Sequence, residues 1–159
     1  MKQKLVRILM VVTVALSLVG VFTLTHLNDA PLALADCSQT LWVETGISAS
    51  NSGAHTSVTG YLQKLVDKTD TSIYCGSLRT RLHWEFDAPN YCDSFGAAVD
   101  GQYGSGQYGV TYTSYMCSGN IMGQPSGNLY SGSHVETCGT VDGWANTDGE
   151  HIGHSGGCF

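Results

Sequence analysis

The sequence predicts an all-β domain, an antiparallel β-sandwich or barrel of about seven short strands cross-linked by disulfides. The 159 residues contain 20 Gly, 8 Tyr and only 3 Pro, a composition typical of short strands joined by glycine turns. Several segments alternate apolar and polar side chains with the period of a strand. The pattern lacks the long helices that would alternate with strands in a parallel sheet.

The clearest strand is Ser77–Phe86, SLRTRLHWEF, which alternates strictly between an apolar and a polar face. Leu41–Ser48 alternates as well, with Leu41 and Ile47 on the inward face and Trp42 on the outward face. Turn signals separate these strands from the remaining candidates. The other candidates are Gly109–Ser118, Phe95–Val99, Leu129–Val135, Thr137–Val141 and Trp144–Asn146, and the turns are Asp87–Asn90, Asp100-Gly101, Gly123–Gly127 and Asp142-Gly143.

The segment Val58–Val66 fits two secondary structures. Its apolar residues recur at helical spacing, which favours one short helix. Thr59 and Gly60 are poor helix formers, which favours a strand instead. The sequence leaves both interpretations open and predicts at most one short helix, near 58–66.

The first 35 residues have the pattern of a signal peptide. A positively charged start precedes the apolar run Ile8–Leu24, and Ala33 and Ala35 suit a signal peptidase site. We therefore expect cleavage after Ala35 and secretion of residues 36–159 as a single disulfide-rich β domain. The alternative is a membrane anchor formed by an uncleaved 8–24 segment, although a helix of that length rises about 25 Å, less than the roughly 30 Å of a hydrocarbon core.

The expected mature domain is strongly acidic. Its four basic residues stand against twelve Asp and Glu residues, a formal charge of −8. A surface of that charge repels a phosphate backbone and an anionic lipid surface, so we expect neither nucleic acid nor membrane as a partner. The four basic residues are Lys64, Lys68, Arg79 and Arg81.

All the cysteines fall in this mature part. Their spacing contains no Cys-x-x-Cys and no Cys/His pattern of a structural zinc site. An even number in an exported chain predicts three disulfides, with the pairing open among fifteen connectivities. The six are Cys37, Cys75, Cys92, Cys117, Cys138 and Cys158.

The C-terminal segment carries a cluster of potential metal ligands: Asp148, Glu150, His151 and His154. Mixed nitrogen and oxygen ligands suit zinc or a similar divalent ion. The spacing departs, however, from the His-Glu-x-x-His helix of metalloproteases and from the EF-hand calcium loop. The Gly-x-Ser-x-Gly match in Gly153–Gly157 lacks the strand, helix and downstream residues that a nucleophile elbow needs.

Two features of the strand faces indicate binding. An outward Trp42 is typical of a stacking surface for a sugar ring or of an interface, and Trp144 near a turn is a second candidate. Arg79, Arg81 and His83 form a row on one strand face that could receive a carboxylate or phosphate. The alternative is that this row forms ordinary cross-strand pairs with acids such as Glu44, Glu85, Asp93 or Glu136.

These observations favour a secreted, non-catalytic domain that binds a glycan, a cell-wall polymer or another extracellular partner through a sheet face, without a cofactor. The expected ligand-binding residues are Trp42, Arg79, Arg81, His83 and Trp144. One alternative is a small secreted hydrolase, metal-dependent if the C-terminal cluster binds an ion. A further alternative is a structural protein of the cell envelope.

Overall fold

A computed structural model describes residues 37–101, 106–120, 125–147, 149, 151–152 and 155–159. These residues form ten strands and no helix. The strands are β1 Thr40–Ser52, β2 Thr56–Asp67, β3 Tyr74–Phe86, β4 Cys92–Asp93, β5 Phe95–Gly101, β6 Gln107–Tyr112, β7 Met116–Cys117, β8 Ser126–Tyr130, β9 Cys138–Ala145 and β10 Gly156–Cys158.

The strands build two four-stranded sheets and a small ribbon. The first sheet has the order β1-β2-β3-β8 and the second the order β10-β9-β5-β6, while β4 and β7 pair separately. Every pairing between these strands is antiparallel. The all-β, antiparallel prediction is therefore confirmed, although the strands outnumber the seven expected.

The core lies between the two sheets. Leu62 and Leu82 of the first sheet are fully buried, as are Phe95 and Val141 of the second. Ile152, which follows β9 in the chain, is fully buried in the same cluster. Burial of such side chains is the main favourable term in folding, at about 1.5–3 kcal/mol for each large apolar side chain. The alternation predicted for β3 is confirmed, because its apolar side chains face this core.

The segment 58–66 is part of strand β2, so the helical interpretation is wrong. Val58, Leu62 and Val66 are buried on the inward face. Gly60 faces inward too, but a Cβ there would lie 2.4 Å from Ile152 Cδ1, which occupies its place. A core position without a side chain interrupts the period-two pattern, which explains why the sequence looked ambiguous.

Strand β1 departs from the predicted alternation. Its register against β2 shifts between Glu44 and Ser48, and Gly46 has a φ of 84°. A bulge of this kind changes which residues face inward. Ile47 packs against the core as predicted, but Leu41, predicted on the same face, is 45% exposed.

Several further boundaries differ from the prediction. The predicted turn Asp142-Gly143 lies inside β9, where a Cβ on Gly143 would lie 2.4 Å from Leu82 Cδ1 in the core. The predicted strand Gly109–Ser118 is divided between β6 and β7.

Strand β8 begins at Ser126, inside the predicted turn Gly123–Gly127, and ends at Tyr130 instead of Val135. The predicted turn Asp100-Gly101 belongs to β5. These differences arise because tertiary packing overrides local turn and strand signals.

The three predicted disulfides are formed, and none of the six cysteines is free. Cys37–Cys75 joins the start of the described chain to β3. The second pair, Cys92–Cys117, links β4 to β7, and the third, Cys138–Cys158, links β9 to β10. Both ends of the described chain are therefore covalently attached to the fold.

The predictions for the leader, cleavage after Ala35 and the apolar run 8–24, lie outside the described residues. In the part of the chain that the structure describes, no helix has the length and apolar character needed to cross a membrane.

Candidate binding face

The first sheet has one face on the core and one face turned outward. Directly paired residues in neighbouring antiparallel strands share a face, so the register assigns the outward side chains. Tyr61, Arg81 and Tyr130 form one row across three strands. We call the whole set the outer face of the first sheet: Trp42, Glu44, Ser48, Ser50 and Ser52 of β1; Ser57, Thr59, Tyr61, Gln63 and Leu65 of β2; Arg79, Arg81, His83 and Glu85 of β3; Ser126, Asn128 and Tyr130 of β8.

Arg79 lies between two aromatic rings of this face. Its Cζ is 4.4 Å from the ring centroid of Trp42 and 4.5 Å from that of Tyr130. Its Nε donates a hydrogen bond of 2.8 Å to Gln63 Oε1. Partial burial lowers the pKa of the guanidinium, an effect opposed by the nearby Tyr130. None of the ion pairs formed among the described residues includes Arg79.

Arg81, two residues further along β3, has a different environment. Its Nε and Nη2 donate to Glu44 Oε1 at 2.9 and 2.6 Å, and its Nη1 donates to Asn128 Oδ1 at 2.7 Å. Its Cζ lies 4.2 Å from the ring centroid of Tyr61. The cross-strand pairing expected with Glu44 is therefore present for Arg81 but does not extend to Arg79.

The other polar groups of the face lie toward its opposite end. His83 pairs in register with Thr59 and Asn128 and is half-buried. Glu85 accepts a hydrogen bond of 3.1 Å from Ser57 Oγ. The structure therefore brings Trp42, predicted from β1, against Arg79, and places Arg81 and His83 on the same face further from the indole.

Trp144 belongs to a different surface. It lies on the outward face of the second sheet, paired with Gly96 of β5 and bridged to His151. A Cβ on Gly96 would lie 2.3 Å from the indole, so the ring lies directly over that glycine. Tyr112 contacts the ring edge-on at 5.7 Å, and the His151 ring is parallel to it at 6.2 Å. The five predicted ligand-binding residues thus divide between the two outer faces.

The predicted metal cluster is only partly described. Asp148, Glu150 and His154 lie outside the described residues. His151 places its Nε2 2.8 Å from Oδ1 of the buried Asp142, whose other carboxylate oxygen accepts a hydrogen bond from Gln107. Among the residues that are described, no group of three His, Cys, Asp or Glu side chains is placed to hold a metal ion. The metal site stays a prediction.

Four members of the outer face that contact the two arginines are absent from the predicted ligand-binding residues. Tyr61 also fits the helical interpretation of 58–66, while Tyr130, Gln63 and Asn128 need a strand register to place them on this face. A signal for Tyr61 was present: if Gly60 is a core position, Tyr61 must point outward with the strand period. The other three depend on strand pairing, which alternation alone does not give.

The arrangement suits recognition by stacking and hydrogen bonding. Planar rings and a guanidinium present apolar and cationic surfaces, and the exposed amide of Asn128 presents donors and an acceptor. Comparison of the chain with protein-family models, with curated proteins and with solved structures finds no match.

Proposed function

We propose that this protein is a secreted, non-catalytic domain that binds a glycan or surface polymer through the outer face of the first sheet. The observation that carries the proposal is the position of Arg79 between Trp42 and Tyr130, on a sheet face that also carries amide groups. The three disulfides support export, because such bonds persist in oxidising compartments.

The chemistry of sugars fits this face. A sugar ring combines an apolar surface, which packs on aromatic side chains, with hydroxyl groups that need hydrogen-bond partners. Tyr130 is 44% exposed and so is available to a ligand. Asn128 is exposed beside Arg81 and can exchange hydrogen bonds with hydroxyl groups, while the buried Gln63 holds the Nε–H of Arg79.

The test is retention of the protein, expressed from its full chain with its disulfides formed, on a panel of immobilised polysaccharides that includes cellulose, xylan, chitin, polygalacturonate and peptidoglycan. Tyr130→Ser should weaken binding to the retaining polymer up to about tenfold, the equivalent of one aromatic contact. Trp42→Ala should weaken it as well.

The matched control is Tyr112→Ser. Tyr112 is 59% exposed, comparable to Tyr130, but lies on the second sheet. Binding should survive this change. Loss of binding in Tyr112→Ser or Trp144→Ala, with Tyr130→Ser unaffected, would move the site to the other face and overturn the proposal. Failure of every polymer to retain the protein would favour a structural or protein-binding role instead.

The hydrolase alternative has no such support. Three of its four proposed residues lie outside the described part, and the fourth, His151, pairs with Asp142. It stays a prediction that metal analysis of the purified protein can address.

A further inference from the structure

We propose that the ligand is an acidic glycan, with the carboxylate of a uronic acid bound by the guanidinium of Arg79. This inference rests on the proposed function and names the class of sugar that the face selects. It concerns the part of the face formed by Arg79, Trp42, Tyr130 and Gln63.

Arg79 carries a positive charge that no carboxylate among the described residues pairs with. A guanidinium has five N–H donors, and the hydrogen bond to Gln63 uses the one on Nε. The two rings beside the guanidinium attract its charge but supply no anion. The N–H groups of its terminal nitrogens can therefore receive an anion from a ligand.

Arg81, on the same strand, differs from Arg79 in having a carboxylate partner. Arg81 also lies over a ring, that of Tyr61, but holds the carboxylate of Glu44 through Nε and Nη2. The two arginines lie on the same strand and the same face, and each contacts at least one aromatic ring. They differ in that the protein supplies a carboxylate to Arg81 and none to Arg79. At Arg79 the ligand can supply the carboxylate that Glu44 supplies at Arg81.

The terminal nitrogens of Arg79 form the part of the guanidinium that remains for a ligand. Two ring centroids lie within 4.5 Å of its Cζ and its Nε–H is bonded to Gln63, which leaves the N–H edge of the two terminal nitrogens. A planar carboxylate matches such an edge with two parallel hydrogen bonds. Trp42 and Tyr130 then lie beside the bound group, where they can contact the sugar ring that carries it.

The overall charge narrows the class of anion. The expected mature chain, at −8, repels every polyanion at long range, and a heavily sulfated glycan more than a polymer with one carboxylate per sugar. A uronate polymer therefore binds only if its short-range pair with Arg79 outweighs this repulsion, which makes its binding depend on Arg79.

The experiment compares polygalacturonate, alginate and hyaluronan with their methyl-esterified, neutral forms and with dextran sulfate, using the full chain. We expect at least one uronate polymer to bind and its ester to bind about 10- to 100-fold more weakly, the range for a charge-assisted hydrogen-bonded pair. Arg79→Gln should cause a similar loss. Arg79→Lys keeps the positive charge but lacks the planar guanidinium that forms two parallel hydrogen bonds, so it should bind more tightly than Arg79→Gln and more weakly than the unmodified protein.

The matched control is Lys68→Gln, which also removes one positive charge but lies in the exposed turn after β2. It should bind as the unmodified protein does. Thermal unfolding of each variant separates loss of the site from loss of the fold, and Arg79→Lys provides a second variant if Arg79→Gln does not fold.

The outcomes distinguish this inference from the proposed function. If esters or neutral polysaccharides bind as well as uronates and Arg79→Gln has no effect, the inference is wrong and glycan binding stands. Binding to dextran sulfate alone also overturns the choice of carboxylate. If no polysaccharide binds, neutral or acidic, both proposals are wrong.

Discussion

The indole of Trp42 lies 4.4 Å from the guanidinium carbon of Arg79, although their strands β1 and β3 do not pair with each other. Strand β2 lies between them, and two strand spacings amount to about 10 Å. The two long side chains therefore meet above β2, where Gln63 also bonds to Arg79. This contact connects three strands of the proposed binding face.

The Trp42–Arg79 contact should be measurable as a coupling energy. A double-mutant cycle with Trp42→Ala and Arg79→Met should give about 0.5–2 kcal/mol in the free energy of unfolding, because a cation–π pair at a partly exposed site has that strength. Urea denaturation under non-reducing conditions measures it. The Tyr61–Arg81 pair, at 4.2 Å, is the comparison cycle. A coupling of zero for Trp42 and Arg79 would contradict the contact.

The three disulfides should differ in their contribution to stability. Cys37 and Cys75 are 38 residues apart, whereas Cys138 and Cys158 are 20 apart. Chain-entropy arguments give about 4 kcal/mol for the longer loop and about 3 kcal/mol for the shorter one. Paired Cys→Ala variants, compared by urea denaturation, should follow this order. Peptide mapping without reduction checks the pairing itself, and a peptide that joins Cys37 to a cysteine other than Cys75 would refute it.

The free energy of unfolding should fall in acid because the carboxylate of Asp67 becomes protonated. Thr69 donates to Asp67 Oδ1 from its hydroxyl and its backbone N–H, and these bonds lower the pKa of the carboxyl below its usual 3.8. As the pH falls, the unfolded chain takes up this proton first. The stabilisation is therefore present above the unfolded pKa and is lost as the pH falls through the folded pKa.

The Asp67→Asn variant tests this effect. Its loss of stability relative to the unmodified protein should be largest near pH 7 and should shrink toward pH 2, as measured by urea denaturation at each pH. Asp87→Asn, at an exposed position after β3, is the control and should follow the unmodified protein more closely. A deficit for Asp67→Asn that does not vary with pH would rule out this origin.

Gly143 should not tolerate a side chain. A Cβ there would lie 2.4 Å from Leu82 Cδ1, so Gly143→Ala forces the core to move and should cost about 1–3 kcal/mol. Thermal and urea unfolding measure the loss. Adding Leu82→Val, which removes the clashing methyl, should make the double variant more stable than the sum of the single effects implies. If the effects of Gly143→Ala and Leu82→Val on the free energy of unfolding simply add, the close contact between these two positions is wrong.

Some features of the site were predictable because they are local. The alternation of Ser77–Phe86 placed Arg79, Arg81 and His83 on one face of a strand, and the same period turned Trp42 outward. The even number of cysteines in a chain with an export pattern predicted three disulfides. Each of these conclusions needs only neighbouring residues or a count.

Other features depend on which strands pair and in what register. Nothing in the alternation of β3 distinguishes Arg79 from Arg81, yet in the folded sheet Arg81 bonds to Glu44 and Asn128, whereas Arg79 contacts Trp42 and Tyr130. These contacts run diagonally between the rows of paired residues.

The same non-local packing assigned Trp144 to the opposite sheet and chose one disulfide pairing among fifteen. The sequence by itself thus determined the strand class, the number of disulfides and the outward direction of Trp42 and of the arginine and histidine row in β3. Only the tertiary structure decided which of them meet, because those contacts join residues far apart along the chain.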